Sequence, residues 1–146
     1  MSSAASDTVV SAEVRAAALR DQARALLTAR QPKAAQAALR RALVLTPCDA
    51  ATVVNLATLR PTPRAVAAAM ARGAILAPAH PGVLANLATA HAAAADCPRA
   101  LSTWRRLALL SPASSRAALG LTGGWIAGPD RRRRWHGDVA RGADWL

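Results

Sequence analysis

Residues 81–114 read PGVLANLATAHAAAADCPRALSTWRRLALLSPAS and contain a complete two-helix unit of 34 residues. Apolar residues recur at helical spacing in each half of the stretch, and two alanines, Ala88 and Ala100, fall where the two helices would cross. Small side chains at such crossing points allow antiparallel helices to pack closely. The residues that mark the two helices, together with the proline that closes the pair, are Leu84, Leu87, Ala88, His91, Ala100, Trp104, Leu107 and Pro112.

The same pattern occurs twice more before this unit. A first copy spans 16–49 and is also 34 residues long, whereas a second copy spans 50–80 and is three residues shorter. The missing residues lie between the two helices of the second copy, where Pro61 and Pro63 interrupt the pattern. Because proline cannot continue a helix interior, we expect the first helix of this copy to stop near Arg60.

The prolines give an independent check on the helix boundaries. Proline is tolerated in the first turn of a helix and excluded from its middle, and seven of the nine prolines fit this rule. Asp49 and Ser114 precede helices and are predicted to be N-caps. Four prolines are predicted to open helices and three to follow helix ends, namely Pro32, Pro63, Pro81 and Pro98, and Pro47, Pro78 and Pro112.

The regions outside the three copies are assigned from composition. Residues 1–10 are small and polar, so we expect a disordered leader before a helical domain at 11–127. Apolar residues within 115–127 predict a seventh helix, which would cap the apolar end of the array even though its glycines weaken it. Residues 128–146 are basic and lack a helical period, and we expect them to form a flexible tail.

Composition favours an all-helical protein. The 146 residues fit one domain, 53% of them are hydrophobic, and the chain has no Phe or Tyr. Much of the hydrophobic fraction is alanine, the best helix former, which favours thin helices in close contact. The sequence contains no signal peptide and no membrane-spanning run, and Cys48 and Cys97 fall in turns of different copies. We therefore expect a soluble, cytoplasmic protein with reduced cysteines.

The net charge of +11 is large for a chain of this length. Arginines recur at matching places on the second helix of each copy, where we expect the outer surface, and Arg131–Arg134 form the only run. Whether a large net charge marks a binding site for anions depends on whether the basic residues are gathered at one place or spread over the surface, and here most are spread.

Residues 16–127 resemble the tetratricopeptide repeat (TPR) family across about three quarters of the chain. The resemblance implies an all-α, TPR-like superhelix, or solenoid, of about three helical hairpins plus a C-terminal capping helix. It also implies a scaffold or adaptor that performs no chemistry and holds a segment of a partner protein in a concave groove lined by the first helices. The chain departs from the family where aromatic residues are frequent, at Leu19, Val53, Leu84, Leu26, Arg60 and His91.

The resemblance places seven polar residues in this peptide-binding groove. The two asparagines could each bind the backbone N–H and C=O of a ligand, and the arginines could form forked pairs with carboxylates. Some family members clamp an acidic C-terminus in this way, although the match to that clamp is partial. The alternative is that Asn55 and Asn86 only hydrogen-bond between neighbouring helices. The groove residues are Arg20, Arg24, Asn55, Thr58, Asn86, Thr89 and Arg116.

The tail supports two other interpretations. The string from Arg134 to Asp138 looks like the linker by which bacterial proteins join TPR units to a glycosyltransferase-like domain, which would make this chain an accessory module or a remnant of such an enzyme. Separately, an arginine run beside a tryptophan could bind nucleic acid or an anionic surface, although neighbouring aspartates dilute its charge. The residues of this possible anion-binding tail are Arg131, Arg132, Arg133, Arg134 and Trp135.

No residue pattern indicates an enzyme. Glu13 is the only glutamate, and the seven aspartates fall mostly at caps, turns and ends, so no pair of carboxylates is placed for acid–base catalysis. His80, His91 and His136 lack partners at metal-ligand spacing, and we expect His91 to face the core in place of an aromatic ring. We therefore expect no catalytic residue, metal or cofactor. The partner is expected to be a protein or peptide, and the sequence indicates neither its identity nor the oligomeric state.

Overall fold

The computed structural model describes the backbone of residues 3–121 and the side chains of residues 11–121. The regular structure in this range is α-helical throughout, which confirms the all-α part of the predicted fold class. Seven helices are present among the described residues: α1 (Ser3–Thr28), α2 (Pro32–Leu45), α3 (Ala50–Thr58), α4 (Pro63–Leu76), α5 (Pro81–Ala93), α6 (Cys97–Leu110) and α7 (Ser115–Leu121).

The helices pack in sequential pairs. The helices α1 and α2, α3 and α4, and α5 and α6 form three hairpins, and each hairpin also contacts the next through α2 and α3 or α4 and α5. The last helix, α7, contacts both α5 and α6. We call α1, α3, α5 and α7 the first helices, and α2, α4 and α6 the second helices. The arrangement is a sequential array of helical hairpins.

The alanines predicted at the crossing points are buried as expected. Ala88 of α5 and Ala100 of α6 are almost completely enclosed, and Trp104 beside them is the largest fully buried side chain among the described residues. A methyl group at Gly120 of α7 would overlap the Trp104 ring, so the absence of a side chain lets α7 lie directly on the indole. Small residues therefore set the close approach of α5, α6 and α7.

The same turn joins each hairpin to the following helix. The residue after each second helix has nearly the same backbone conformation: φ −134° and ψ 79° at Thr46, −133° and 71° at Ala77, and −144° and 78° at Ser111. Each of these residues donates its N–H to the carbonyl four positions earlier, at 3.0, 2.9 and 2.8 Å. The turn recurs because each of the three residues is followed by a proline, and a residue with a capping side chain lies two positions after that proline.

Those capping side chains start the next first helix. Asp49 accepts hydrogen bonds from the N–H groups of two residues in α3, and Ser114 Oγ accepts from Ala117 N at 3.3 Å, which confirms both predicted N-caps. His80 occupies the same place before α5, where its Nδ1 accepts from Gly82 N at 3.2 Å. The opening prolines lie in the first turn of α2, α4, α5 and α6, as their spacing predicts.

Two of the hairpins also share their internal turn. Arg30 and Ala95 have positive φ values of 58° and 60°, and the next residue in each case bonds back across the helix end, from Gln31 N to Leu26 O at 2.8 Å and from Asp96 N to His91 O at 2.9 Å. This is the Schellman pattern that satisfies the last carbonyls of a helix.

The second hairpin differs, as the shorter copy predicts. Its first helix, α3, has 9 residues and ends at Thr58, whereas α5 has 13. Pro61 and Pro63 follow within one turn, and Thr62 Oγ1 caps α4 by accepting from Ala65 N at 3.2 Å. The missing residues therefore come from the end of α3 alone, because the turn that follows it (59–62) is one residue longer than the turn after α5 (94–96), while α4 keeps the 14 residues found in α2 and α6.

The helix α5 contributes to two separate parts of the core. Val83, Leu87 and Ala90 pack with α3 and α4, whereas Leu84 and Ala88 pack with α6 and α7. A third cluster lies within α1 and α2 and reaches α3 only through partly buried residues. The third hairpin is thus joined to both of its neighbours, and the first hairpin is the more separate part of the described structure.

The ends differ from expectation or lie outside the described range. We expected a disordered leader at 1–10, whereas α1 already begins at Ser3. The first proline of the chain is Pro32 and the first glycine is Gly73, so no residue in this segment stops a helix. The expected end of the capping helix at 122–127 and the tail lie outside the described residues. No helix in the described range has the length and apolar character needed to cross a bilayer.

Candidate functional site: the face of the first helices

The seven predicted groove residues all lie on first helices. Five of them lie on α3, α5 and α7, which contact one another in that order. The other two lie on α1, which packs chiefly on α2. We call the side of α3, α5 and α7 that carries these residues the first-helix face. It consists of Asn55, Thr58, Asn86, Thr89 and Arg116.

Arg20 makes an ion pair inside the chain. Its guanidinium Nη1 donates to Oδ2 of Asp49, and this bond joins α1 to the N-cap of α3. The same carboxylate accepts from the backbone N–H and the hydroxyl of Thr52. Burial raises the pKa of the Asp49 carboxyl, but the bonds from Thr52 and the charge of Arg20 outweigh burial, so its pKa lies below the ordinary 3.8. Arg20 thus links two hairpins and has a carboxylate partner of its own.

Arg24 is more open than Arg20. Its Nη1 lies 3.2 Å from Oδ1 of Asp21 one turn away, and both side chains are more than half exposed. Exposed pairs at this spacing contribute little free energy, because water screens the charges and both side chains lose conformational freedom. The guanidinium can therefore exchange Asp21 for another carboxylate at small cost.

The two asparagines of the first-helix face differ in burial. Asn55 is only 2% exposed and has a partner within the fold, so its amide lies in the interior. Asn86 is half-buried, and no hydrogen bond within residues 11–121 uses its side-chain amide. The repeat pattern places the two asparagines at equivalent positions, but in the structure only Asn55 is buried.

The two threonines of the first-helix face bond to their own helices. Thr58 Oγ1 donates to Asn55 O at 2.7 Å, and Thr89 Oγ1 donates to Ala85 O at 2.8 Å. Each hydroxyl oxygen still has lone pairs that can accept a further hydrogen bond.

The open part of the first-helix face lies on α5 and α7. Arg116 is half-buried and already has a partner, and Leu119 beside it is 54% exposed. We call the group formed by Asn86, Thr89, Arg116 and Leu119 the α5–α7 patch. It combines an amide, a hydroxyl, a cation and one exposed apolar side chain.

His91 lies at the far end of α5, near Asp96 and Arg99. Its side chain is 12% exposed, with Nδ1 4.0 Å from Oδ2 of Asp96, and the position is partly enclosed, in keeping with the core-facing role expected for it. Asp96 also accepts from Arg99 Nη1 at 3.1 Å. Burial lowers the pKa of His91 below the ordinary 6.5; Asp96 opposes this shift and the charge of Arg99 adds to it.

Metal-ligating side chains do not come together in the described part of the chain. Among the described residues, no three His, Cys, Asp or Glu side chains lie close enough to hold a metal ion. Cys48 is exposed, Cys97 is half-buried, and both are free thiols. The proposed anion-binding residues Arg131 to Arg134 and Trp135 lie outside the described residues.

The second helices carry an exposed pattern that the repeat spacing does not predict. Each of these helices ends with two large aliphatic residues, and the first of the two is 80% exposed at Val44, 78% at Ile75 and 84% at Leu109. The signal in the sequence is an arginine three positions before each of them. At the first hairpin, Arg41 and Val44 also line a shallow cavity of about 490 Å³ between α1 and α2, together with Arg15 of α1.

Neither the protein-family models nor the curated proteins with which the chain was compared match it. The classification that the structure supports is therefore an all-helical protein whose helices, among the described residues, pack as sequential pairs.

Proposed function

We propose that this chain is a TPR-like scaffold that performs no chemistry and binds an extended segment of a partner protein on the first-helix face. The observation that carries the proposal is the inter-hairpin turn, which recurs with the same dihedral angles and hydrogen bonds after α2, α4 and α6. Repeated joints of this kind stack hairpins side by side, and such stacks provide long binding surfaces.

The α5–α7 patch is the best-supported place for contact with the partner. The amide of Asn86, which no hydrogen bond within residues 11–121 uses, can donate to a peptide carbonyl and accept from a peptide N–H. Leu119 offers an apolar contact, and Arg116 on α7 and Arg24 on α1 supply positive charge. These groups suit an extended segment that carries at least one carboxylate and one apolar side chain.

Asn55 and Arg20 have a different role in this proposal. Both have partners inside the chain; Asn55 is buried, and Arg20 joins α1 to the N-cap of α3. They support the α3 part of the first-helix face, and the partner is held by residues of α1, α5 and α7.

Selection from a displayed library of random peptides tests this function with the full chain. We expect the wild type to enrich acidic segments, and we expect Asn86→Ala combined with Arg24→Gln to weaken the binding of the enriched peptides by roughly tenfold or more, since hydrogen bonds to charged groups contribute about 1.5–3 kcal/mol each. Arg72→Gln on α4 removes the same charge from a second helix and serves as the control.

Circular dichroism checks that the helical content of each variant is unchanged. Equal peptide affinity in the wild type and the double variant would place the partner elsewhere. Failure of the wild type to enrich any peptide family would remove the proposed function.

A further inference from the structure

The exposed side of the second helices carries the same cationic and aliphatic pair three times. An arginine is followed three positions later by a large aliphatic residue, and residues three apart lie on the same side of a helix. Single exposed aliphatic residues are common on protein surfaces, but recurrence at one position of every hairpin is a pattern. We call the six residues the second-helix ridge: Arg41 and Val44, Arg72 and Ile75, and Arg106 and Leu109.

The charge of the second helices has one sign. The helix α2 carries three basic residues, α4 two and α6 three, and none of these helices contains an acidic residue. All three ridge arginines are exposed, and none has an ion-pair partner within the described residues. The ridge therefore offers unpaired cations directly beside uncovered aliphatic side chains.

Charge complementarity limits the possible occupants. A second copy of this surface would bring like charges together. Residues 122–146 contain five arginines and three aspartates, so this segment is also net positive. The ridge therefore favours an anionic partner.

The exposure of the aliphatic residues favours a bilayer surface over a peptide as the anionic partner. Peptide ligands and protein partners usually gain affinity by placing an anchor in a pocket of the receptor. Here the apolar side chains belong to the receptor and project from it, each about four-fifths exposed. A bilayer interface accepts projecting aliphatic side chains among its acyl chains, while neighbouring arginines reach the lipid phosphates.

We propose that the second-helix ridge binds the surface of a membrane that contains anionic lipids. Val44, Ile75 and Leu109 enter the boundary between headgroups and acyl chains, and Arg41, Arg72 and Arg106 pair with phosphate and carboxylate groups of the lipids. This site lies on the second helices and is independent of peptide binding on the first-helix face.

Sedimentation of the full chain with vesicles tests the proposal. We expect binding to vesicles of phosphatidylcholine mixed with phosphatidylserine, little binding to phosphatidylcholine alone, and weaker binding as the salt concentration rises. Replacing the three ridge arginines by glutamine is expected to weaken binding on the order of 100-fold, since each basic residue near an anionic surface contributes substantially. Replacing Val44, Ile75 and Leu109 by serine leaves the charge intact and is expected to weaken binding on the order of tenfold or more.

A charge-matched variant is the decisive control. Arg30, Lys33 and Arg60 are exposed and lie outside the ridge, so their replacement by glutamine lowers the net charge equally without changing the ridge. We expect this variant to bind vesicles nearly as well as the wild type. Equal losses in the two charge-lowering variants, or full binding by the serine variant, would overturn the proposal.

Two further outcomes would also overturn it. Strong binding to an acidic amphipathic peptide without binding to vesicles would make the ridge a protein interface. Binding that depends on charge but is the same for vesicles and for DNA would make it a general polyanion site. All substituted residues are exposed, so unchanged circular dichroism is expected for every variant.

Discussion

At the scale of single residues, Arg30 and Ala95 adopt a backbone conformation that glycine adopts more easily. Their φ values are 58° and 60°, and a left-handed conformation costs a residue with a Cβ atom about 1–2 kcal/mol. The conformation persists because the hydrogen bonds of the Schellman turn depend on it. Each residue therefore holds the turn of its hairpin at a local energetic cost.

Replacing Ala95 by glycine should stabilise the protein. Relief of the left-handed conformation outweighs the extra freedom of glycine in the unfolded chain, and we expect a gain of about 0.5–1 kcal/mol in the free energy of unfolding. Urea denaturation measures the change. The neighbouring Ala94 has a negative φ of −78°, so Ala94→Gly serves as the control and should destabilise by a similar amount. Destabilisation by both substitutions would show that the positive φ at Ala95 costs little.

His91 makes stability depend on pH. Its pKa in the folded protein lies below the ordinary 6.5, chiefly because it is partly buried, so the unfolded chain binds this proton more readily. The contribution of His91 is thus complete above about pH 6.5 and is lost as the pH falls through the lower folded pKa.

We expect the midpoint of urea unfolding to fall as the pH is lowered from 7.5 toward 5. The fall should be smaller in His91→Leu, which cannot be protonated. His80 is exposed and serves as the site of a control substitution, His80→Asn, which keeps an N-cap side chain. An identical pH dependence in the wild type and His91→Leu would contradict the prediction.

At the scale of helices, a glycine sets the distance between α3 and α4. A Cβ atom at Gly73 would lie 2.6 Å from Cγ2 of Val54, which is completely buried, and the branched side chain of valine has few other rotamers. Glycine is thus needed here for close packing, although it weakens the helix that contains it.

Gly73→Ala should destabilise the protein even though alanine favours helices. Overlap with Val54 is expected to cost about 1–3 kcal/mol, against a gain of about 1 kcal/mol in helix propensity. In a Val54→Ala background the same substitution should cost less, because the overlapping methyl group is gone. A double-mutant cycle by urea denaturation measures this coupling, and additive effects would show that Gly73 does not need to be small.

The sequence predicted elements better than it predicted exposure. The prolines and alanines gave the helix starts, the two N-caps and the position of the deletion, because these depend on a few neighbouring residues. The pairing of Arg20 with Asp49 depends on how closely the first two hairpins approach, and the burial of Asn55 depends on tertiary packing; no local pattern reports either. The early start of α1 was missed because a polar composition does not by itself prevent a helix.

At the scale of the whole molecule, stability should be uneven along the array. The helix α5 packs on both sides, whereas the cluster of α1 and α2 reaches α3 only through partly buried residues such as Leu56 and Leu59. Opening of α5 disrupts two clusters, and opening of α1 chiefly disrupts one.

Native-state hydrogen exchange should therefore show the slowest amides in α5 and faster exchange in α1 and α2, with the first hairpin opening as a separate unit. Arg20→Gln removes a bond between the first hairpin and α3 and should speed exchange in α1 and α2 more than in α5. Arg24→Gln, which breaks only an exposed pair within α1, is the control. Uniform exchange rates along the chain would instead indicate one cooperative unit.

The matching turns after Leu76 and Leu110 have a consequence for the length of the molecule. The segment 81–114 is preceded by the same kind of turn with which it ends. A duplicate of it could therefore be inserted after Ser114 without a new type of connection. Growth by duplication of this segment would lengthen the surfaces of the first and second helices by one hairpin at a time and would leave the existing hairpins in place.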